Sequence, residues 1–418
     1  MIMRRENTTC CIAGGGPAGM MLGFLLARAG VAVIVLEKHA DFLRDFRGDT
    51  IHPSTMQVMH ELGLLDEFLR LPHVREDDLV ARFGAEDITV ADFSHLPVEA
   101  PFIAFMPQWD FLDFLADHGR AYPNFRLLMQ TKATELIEEN GRVAGLNAEG
   151  PDGPLGIGAD LVVAADGRRS DVRAAAGFSV TELGAPMDVL WFRLSRRPDE
   201  PAQAFGQVAA GRFFIRLNRG DYWQCAFIIP KGSLERLQAA GLDAFKAGLL
   251  ALAPELADRT GELFSWDDIK LLSVAIDRLE RWWRPGLICI GDAAHAMSPI
   301  GGVGINLAIQ DAVATANLLA KPLREKTLTD ADLAAVQTRR EWPAKVTQGA
   351  QIAIQNRVIT PLLAADKPVA PPWPLRLLQR FPLLRRLPAR MVGMGVRPEH
   401  VGPELRERQR IDASQSVR

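Results

Sequence analysis
Apolar residues in this chain fall into runs of two kinds. Thr8 to Ala13 (TTCCIA) is short and unbroken, and it predicts a buried strand. The run AGMMLGFLLARAG after Pro17 is longer and predicts a helix ending near Gly30. VAVIVLE then predicts a second buried strand closing on Glu37. Leu161 to Ala165 and Leu287 to Ile290 read as further buried strands, and a long helix is expected from about Gly302 to Leu319. Strands covered on both faces are apolar throughout, so these segments predict a parallel sheet. From Asp188 to Pro230 the pattern changes. VLWFRLS, GRFFIRLN and DYWQCAFIIP partly alternate, as expected for a sheet with one covered face. Leu79 to Phe83 and Ile88 to Phe93 predict a strand pair around Gly84, and Ser54 followed by Gln57 reads as a capping box.

Composition narrows the class. The chain has 418 residues, too many for one simple domain, and its hydrophobic content of 48% is ample for a large core. A net charge of −3 supplies no basic field for nucleic acid. No eighteen-residue apolar stretch is free of charge, so no transmembrane helix is expected. The first strand starts too early to leave room for a cleavable signal. Cys10, Cys11, Cys225 and Cys289 sit in strand-like contexts without metal-ligand spacing, so buried free thiols, no metal and a cytoplasmic location are expected.

The chemistry is signalled first at CCIAGGGPAGMM. Gly14, Gly16 and Gly19 form G-x-G-x-x-G between a strand and a helix, with Glu37 ending the next strand. The first glycine suits a tight turn, the second a close approach to a pyrophosphate, and the third helix-on-strand packing. The helix N-terminus offers amides and a positive dipole end to phosphate, and Glu37 suits a ribose diol. Asp166-Gly167, followed by Arg168, Arg169 and Ser170, ends one later strand, and Gly291-Asp292 ends another. Carboxyl ends of parallel strands are where open α/β sheets bind ligands.

GGGPAG, ADGRRSDVR and GDAAHAMSPIGGVGINLAIQDA, in this order, resemble the single-component (class A) flavoprotein monooxygenases of the para-hydroxybenzoate hydroxylase type, over roughly residues 8 to 365. The resemblance implies an α/β fold. A Rossmann-like FAD-binding domain would be formed by residues 1–74, 106–180 and 276–365. An inserted β-sheet substrate domain would take residues 75–105 and 181–275, and residues 366–418 would form a helical C-terminal arm. It implies FAD contacts from Gly14, Gly15, Gly16, Pro17, Ala18, Gly19, Glu37, Lys38, Gln108, Ala133, Asp166, Gly167, Gly291 and Asp292. Pro299, Gly302, Val303, Gly304, Ile305 and Asn306 would run along the flavin ring, with Pro299 and Gly302 at the reacting side. Arg47 is the candidate flavin-contacting arginine, and His52 a candidate proton carrier. Val303 stands where the family often has Gln, which affects only a side-chain contact.

The implied activity is hydroxylation of an apolar, aromatic small molecule through a C4a-hydroperoxyflavin, with NADH or NADPH and O2 as co-substrates. The sheet would roof the substrate, with Trp191, Phe213, Phe214, Trp223 and Phe227 as candidate lining. A halogenase would carry W-x-W-x-I-P, which this chain lacks. An oxygen-independent reductase of an isoprenoid or lipid, and a non-catalytic flavin-binding protein, are the alternatives. Residues 371–398 hold six arginines and no acid among leucines and methionines. They read as an arm packed on the body, a membrane-surface contact or a dimer contact, in a monomer or homodimer.

Overall fold
The computed structural model describes residues 3–43, 50–84, 86–200, 205–209, 211–367 and 370–406; Arg47 lies outside the described residues. The parallel core of the first sheet runs, in spatial order, Leu287–Cys289, Gly153–Ala164, Arg4–Ala13, Val33–Leu36 and Phe125–Leu128. An antiparallel meander, Lys132–Glu139 and Arg142–Gly150, extends from Gly153–Ala164. Both faces are covered. Cys10 and Ile12 pack among the helices Pro17–Arg28, Gln108–Arg120 and Gly304–Glu325, while Cys11 and Ala13 pack on the other side with Leu146, Ala164 and Trp282. Successive strand residues point to opposite faces, so burial on both sides requires the unbroken apolar run.

The stretch Ile300–Glu325 is long and apolar enough to cross a membrane, but 78% of its most apolar window is buried inside the protein. It is a core helix. The Pro53–Glu61 helix begins two residues earlier than the Ser54–Gln57 capping box predicts. His52 is its N-cap and Pro53 its first residue, Ser54 Oγ is buried without a partner, and Gln57 reaches Glu61 at 3.3 Å. Proline is pre-organised for that first position, which displaces the start.

The second sheet has seven strands, in the order Lys270–Leu272, Met187–Ser195, Tyr222–Pro230, Arg212–Asn218, Phe205–Ala209, Asp78–Phe83 and Glu86–Asp92. It too is covered on both faces. Leu190, Phe192, Leu194, Phe214, Trp223, Cys225 and Phe227 pack with Phe245 and Leu249 of the Leu242–Leu250 helix. Met187, Val189, Trp191, Phe213, Ile215, Ala226 and Ile228 form the other face and meet Ile300, Ile359 and Leu363. This corrects three of the candidate lining residues. Trp223, Phe227 and Phe214 face away from the glycine strip that holds Ile300, whereas Trp191 and Phe213 face toward it. Trp223 is a packing residue whose Nε1 donates to Glu200 at 2.8 Å. The sequence alternates only weakly because helices cover the face expected to be polar.

Beyond the Asp330–Ile354 helix the chain passes through Gln355–Ile359 and Thr360–Leu363 into the arm helices Trp373–Arg380 and Arg386–Gly393. The arm lies along Glu86–Asp92, and Ala389 and Val392 join Phe93, Ile103 and Phe105 in one cluster.

Candidate active site
The glycine loop closes the first strand onto the first helix. Gly14 donates to the Leu36 carbonyl at 2.8 Å, and Ala165 donates to the Ala13 carbonyl at 2.8 Å. Gly14 has φ +109°, and a Cβ there would stand 2.3 Å from the Ala165 oxygen. A Cβ on Gly19 would stand 1.9 Å from the Gly14 oxygen. Neither position accepts a side chain. Gly16 differs: nothing lies within 4 Å of its Cβ direction, so its backbone looks into open space at the N-terminus of Pro17–Arg28. The Glu37 carboxylate is buried and already oriented, accepting from the Gly15 amide at 3.1 Å and the His39 amide at 3.0 Å. Lys38 is exposed, Gln108 opens its helix, and Ala133 follows the loop in which Gln130 and Thr131 donate to the His39 and Glu37 carbonyls.

Across from this loop, the Asp-Gly and Gly-Asp turns are fastened together. Ser170 caps the Asp171–Ala175 helix by accepting from the Arg173 amide, and Asp166 Oδ2 accepts from the Val172 amide at 3.2 Å. Burial raises the Asp166 carboxyl pKa despite those bonds. Arg173 donates to the Arg168 carbonyl at 2.7 Å and to the Ala293 carbonyl at 3.3 Å, so one guanidinium spans both turns. Asp292 keeps about a third of its side chain exposed and pairs with Arg168 at 3.4 Å.

Behind Asp292 lies a buried ionic cluster that sequence reasoning missed. Asp311 accepts from the Gly291 amide at 3.0 Å, from His295 Nε2 at 2.6 Å and from Arg340 Nε at 2.9 Å. Arg340 also reaches Glu399 at 3.1 Å. Burial alone would raise the Asp311 carboxyl pKa, but His295 and Arg340 outweigh it and hold the group below the usual range. A charged Asp311 thereby anchors the turn that presents Asp292.

The strip from Pro299 to Gly304 is partly exposed and is held from behind by a glutamine ladder. Gln348 donates to the Asp277 and Ala296 carbonyls, Gln351 to those of Ser298 and Ile300, and Gln355 to Ser298 Oγ at 2.8 Å. Their spacing places all three on one helix face. The spacing QGAQIAIQ was the available signal. Asn306, expected along the ring, turns its side chain inward instead: it accepts from the His52 amide and Thr55 and donates to the Thr50 and Gly302 carbonyls. Ile305 likewise packs in the core. Both orient the strip rather than line it with their side chains.

His52 is fully buried beside this strip. Its Nδ1 lies 2.8 Å from the Val392 carbonyl, which can only accept, so Nδ1 carries the proton. Nε2 is then a lone pair without a protein partner, next to Gly302. Burial lowers its pKa from 6.5 to about 4, so near neutrality it is an uncharged acceptor.

The gap between these elements fits a flavin dinucleotide. Gly16 and Gly167 face open space, and the buried Asp166 Oδ1 and Arg168 Nη1 have no protein partner. Amides, a free carboxylate oxygen and a free guanidinium N–H are what a pyrophosphate and its sugar hydroxyls require. A concavity of about 760 Å³ lies elsewhere, beside Asn317, Thr338 and His400, and no motif residue lines it. The model of the FAD binding domain family matches residues 7–350. The chain belongs to that family. It is 33% identical over 355 residues to 6-methylpretetramide 4-monooxygenase of Streptomyces rimosus, covering 84% of each chain. Its fold matches PqsL of P. aeruginosa (TM-score 0.72, 23% identity, 86% of this chain and 97% of that one). It matches equally p-nitrophenol 4-monooxygenase PnpA of Pseudomonas putida (TM-score 0.72, 21% identity, 94% and 100%). The protein is an FAD-dependent monooxygenase of the aromatic type, a class whose typical co-substrates are NAD(P)H and dioxygen. The glycine loop with Glu37, the Asp166 and Asp292 turns and the Pro299–Gly304 strip are the residues that would hold the FAD.

Proposed function
We propose that this protein hydroxylates an apolar, aromatic small molecule held between the Trp191 face of the seven-stranded sheet and the Pro299–Gly304 strip. The observation that carries the reading is that Trp191, Phe213 and Ile215 of the sheet and Ile300 of the strip all border one apolar cluster and are only partly buried there. Bound FAD, reduced by a nicotinamide, supplies the oxygen-activating chemistry that no side chain here can supply. The chain does the rest. The sheet face excludes water and offers flat contact to a ring. Trp191 Nε1 is buried on that face without a partner, and it suits an oxygen of the substrate. His52 Nε2 offers an uncharged acceptor beside Gly302. The amides at the start of the 22-residue helix Gly304–Glu325 favour negative charge at the edge of the reduced ring. Four buried free thiols and a need for reduced nicotinamide suit the cytoplasm.

The test is a screen of aromatic ligands for stimulated NAD(P)H oxidation, followed by product analysis under labelled dioxygen. One labelled oxygen atom in the product, and none from labelled water, is expected. A product formed equally well without oxygen overturns the reading in favour of a reductase.

A further inference from the structure
The C-terminal arm has an outer face that the fold leaves uncovered. Its inner positions, Leu375, Ala389 and Val392, pack on the body. Its outer positions are Trp373, Leu377 and Phe381, then Leu383, Leu387 and Met391, with relative exposures from 40% to 76%. Trp373 and Leu377 lie one turn apart on the Trp373–Arg380 helix, Leu387 and Met391 one turn apart on the Arg386–Gly393 helix, and Phe381 and Leu383 fall in the turn between them. Six of the fourteen large exposed hydrophobic residues among the described ones therefore fall within nineteen consecutive positions. Isolated exposed leucines need no explanation, but a continuous stripe does. Arg376, Arg380, Arg386 and Arg390 flank it, all exposed, and no acid occurs between residues 371 and 398.

We infer that this face docks on an anionic lipid bilayer, with the apolar stripe in the acyl boundary and the arginines at the phosphates. Charge decides between the possible occupants. A second copy of the chain would bring the same arginines against these, face to face, with no carboxylate on the arm to offset them. An anionic membrane surface complements both features at once, the combination found in helices that lie in the interface plane. The docked arm is also continuous with the site: Val392 accepts from His52 and lies 3.8 Å from the Cβ direction of Gly301. Docking therefore brings the site close to the bilayer surface, where apolar molecules concentrate. The inference does not depend on the hydroxylase reading, since it concerns binding and not turnover.

The experiment is co-sedimentation of the FAD-loaded protein with vesicles of phosphatidylcholine alone and of phosphatidylcholine mixed with phosphatidylglycerol. Binding to the anionic vesicles is expected, weaker at high salt and at least roughly tenfold weaker without the anionic lipid. The double substitution Leu383→Ser, Leu387→Ser should abolish it, and Arg386→Gln with Arg390→Gln should weaken it roughly tenfold or more. Unchanged flavin absorbance and melting temperature in these variants exclude misfolding. Absence of vesicle binding, or binding that survives the leucine substitutions, overturns the inference. So does a dimer in analytical ultracentrifugation that those substitutions dissolve while vesicles bind nothing, which would make the stripe a contact between copies.

Discussion

Replacing Asp311 with alanine tests whether the buried ionic cluster holds the Gly-Asp turn. The substitution removes the acceptor of the Gly291 amide, of His295 Nε2 and of Arg340 Nε. Arg340 is fully buried and keeps only Glu399, at 3.1 Å, as an acidic partner. Breaking a buried pair by removing one member costs about 3–5 kcal/mol. Because Glu399 still offsets part of the charge, the lower end, about 3 kcal/mol, is expected. Asp311→Asn retains one acceptor oxygen and should cost about 1–2 kcal/mol. Adding Arg340→Met to Asp311→Ala should recover part of the loss, because the uncompensated cation is then gone. Stability is read from urea unfolding by tryptophan fluorescence, with the slope compared across variants. The FAD dissociation constant is measured beside it and should rise, since Asp292 is presented by the turn that Gly291 anchors. An Asp311→Ala protein within 1 kcal/mol of the parent, with unchanged FAD affinity, would refute the reasoning.

Three further outcomes are expected. Folded His52 stays neutral down to about pH 4 while an unfolded histidine protonates near 6.5, so its effect is absent above that value and stability is lost as pH falls between the two. At about 1.4 kcal/mol per pH unit this amounts to roughly 3 kcal/mol by pH 4, and His52→Gln should show a shallower acid slope. Trp191→Ala should raise KM or uncouple NAD(P)H oxidation while FAD remains bound, whereas Trp223→Ala should cost about 3–5 kcal/mol in chemical unfolding with no selective effect on substrate. Equal behaviour of the two variants would contradict the assignment of sheet faces. Gly302 has φ +63°, and a Cβ there would stand 2.5 Å from Thr50 Oγ1. Gly302→Ala should therefore slow flavin reduction and destabilise the protein by about 1–2 kcal/mol, and a normal single-turnover reduction rate would show that the strip tolerates displacement.

What the sequence determined by itself was local. Three glycine-bearing turns, each at the end of an apolar run, specify strand, turn and helix within a few residues, because backbone geometry at Gly14 or Gly19 admits no other residue. Those turns identified the cofactor and hence the class. The glutamine ladder was present in the sequence as QGAQIAIQ, but glutamines on a helix face look the same whether they meet solvent or buried carbonyls. Only tertiary structure decided what depends on elements far apart in the chain. Asp311, Arg340 and Glu399 come together from three separate segments, and charged residues give no sign in sequence that they will be buried as a group. The face of each aromatic in the seven-stranded sheet was hidden for a related reason. Period-two alternation sorts residues into two sets, but which set meets the flavin strip depends on the helices that cover the other side. The same holds for the arm: its composition announced an amphipathic segment, and packing against Glu86–Asp92 alone settled which leucines remain in the open.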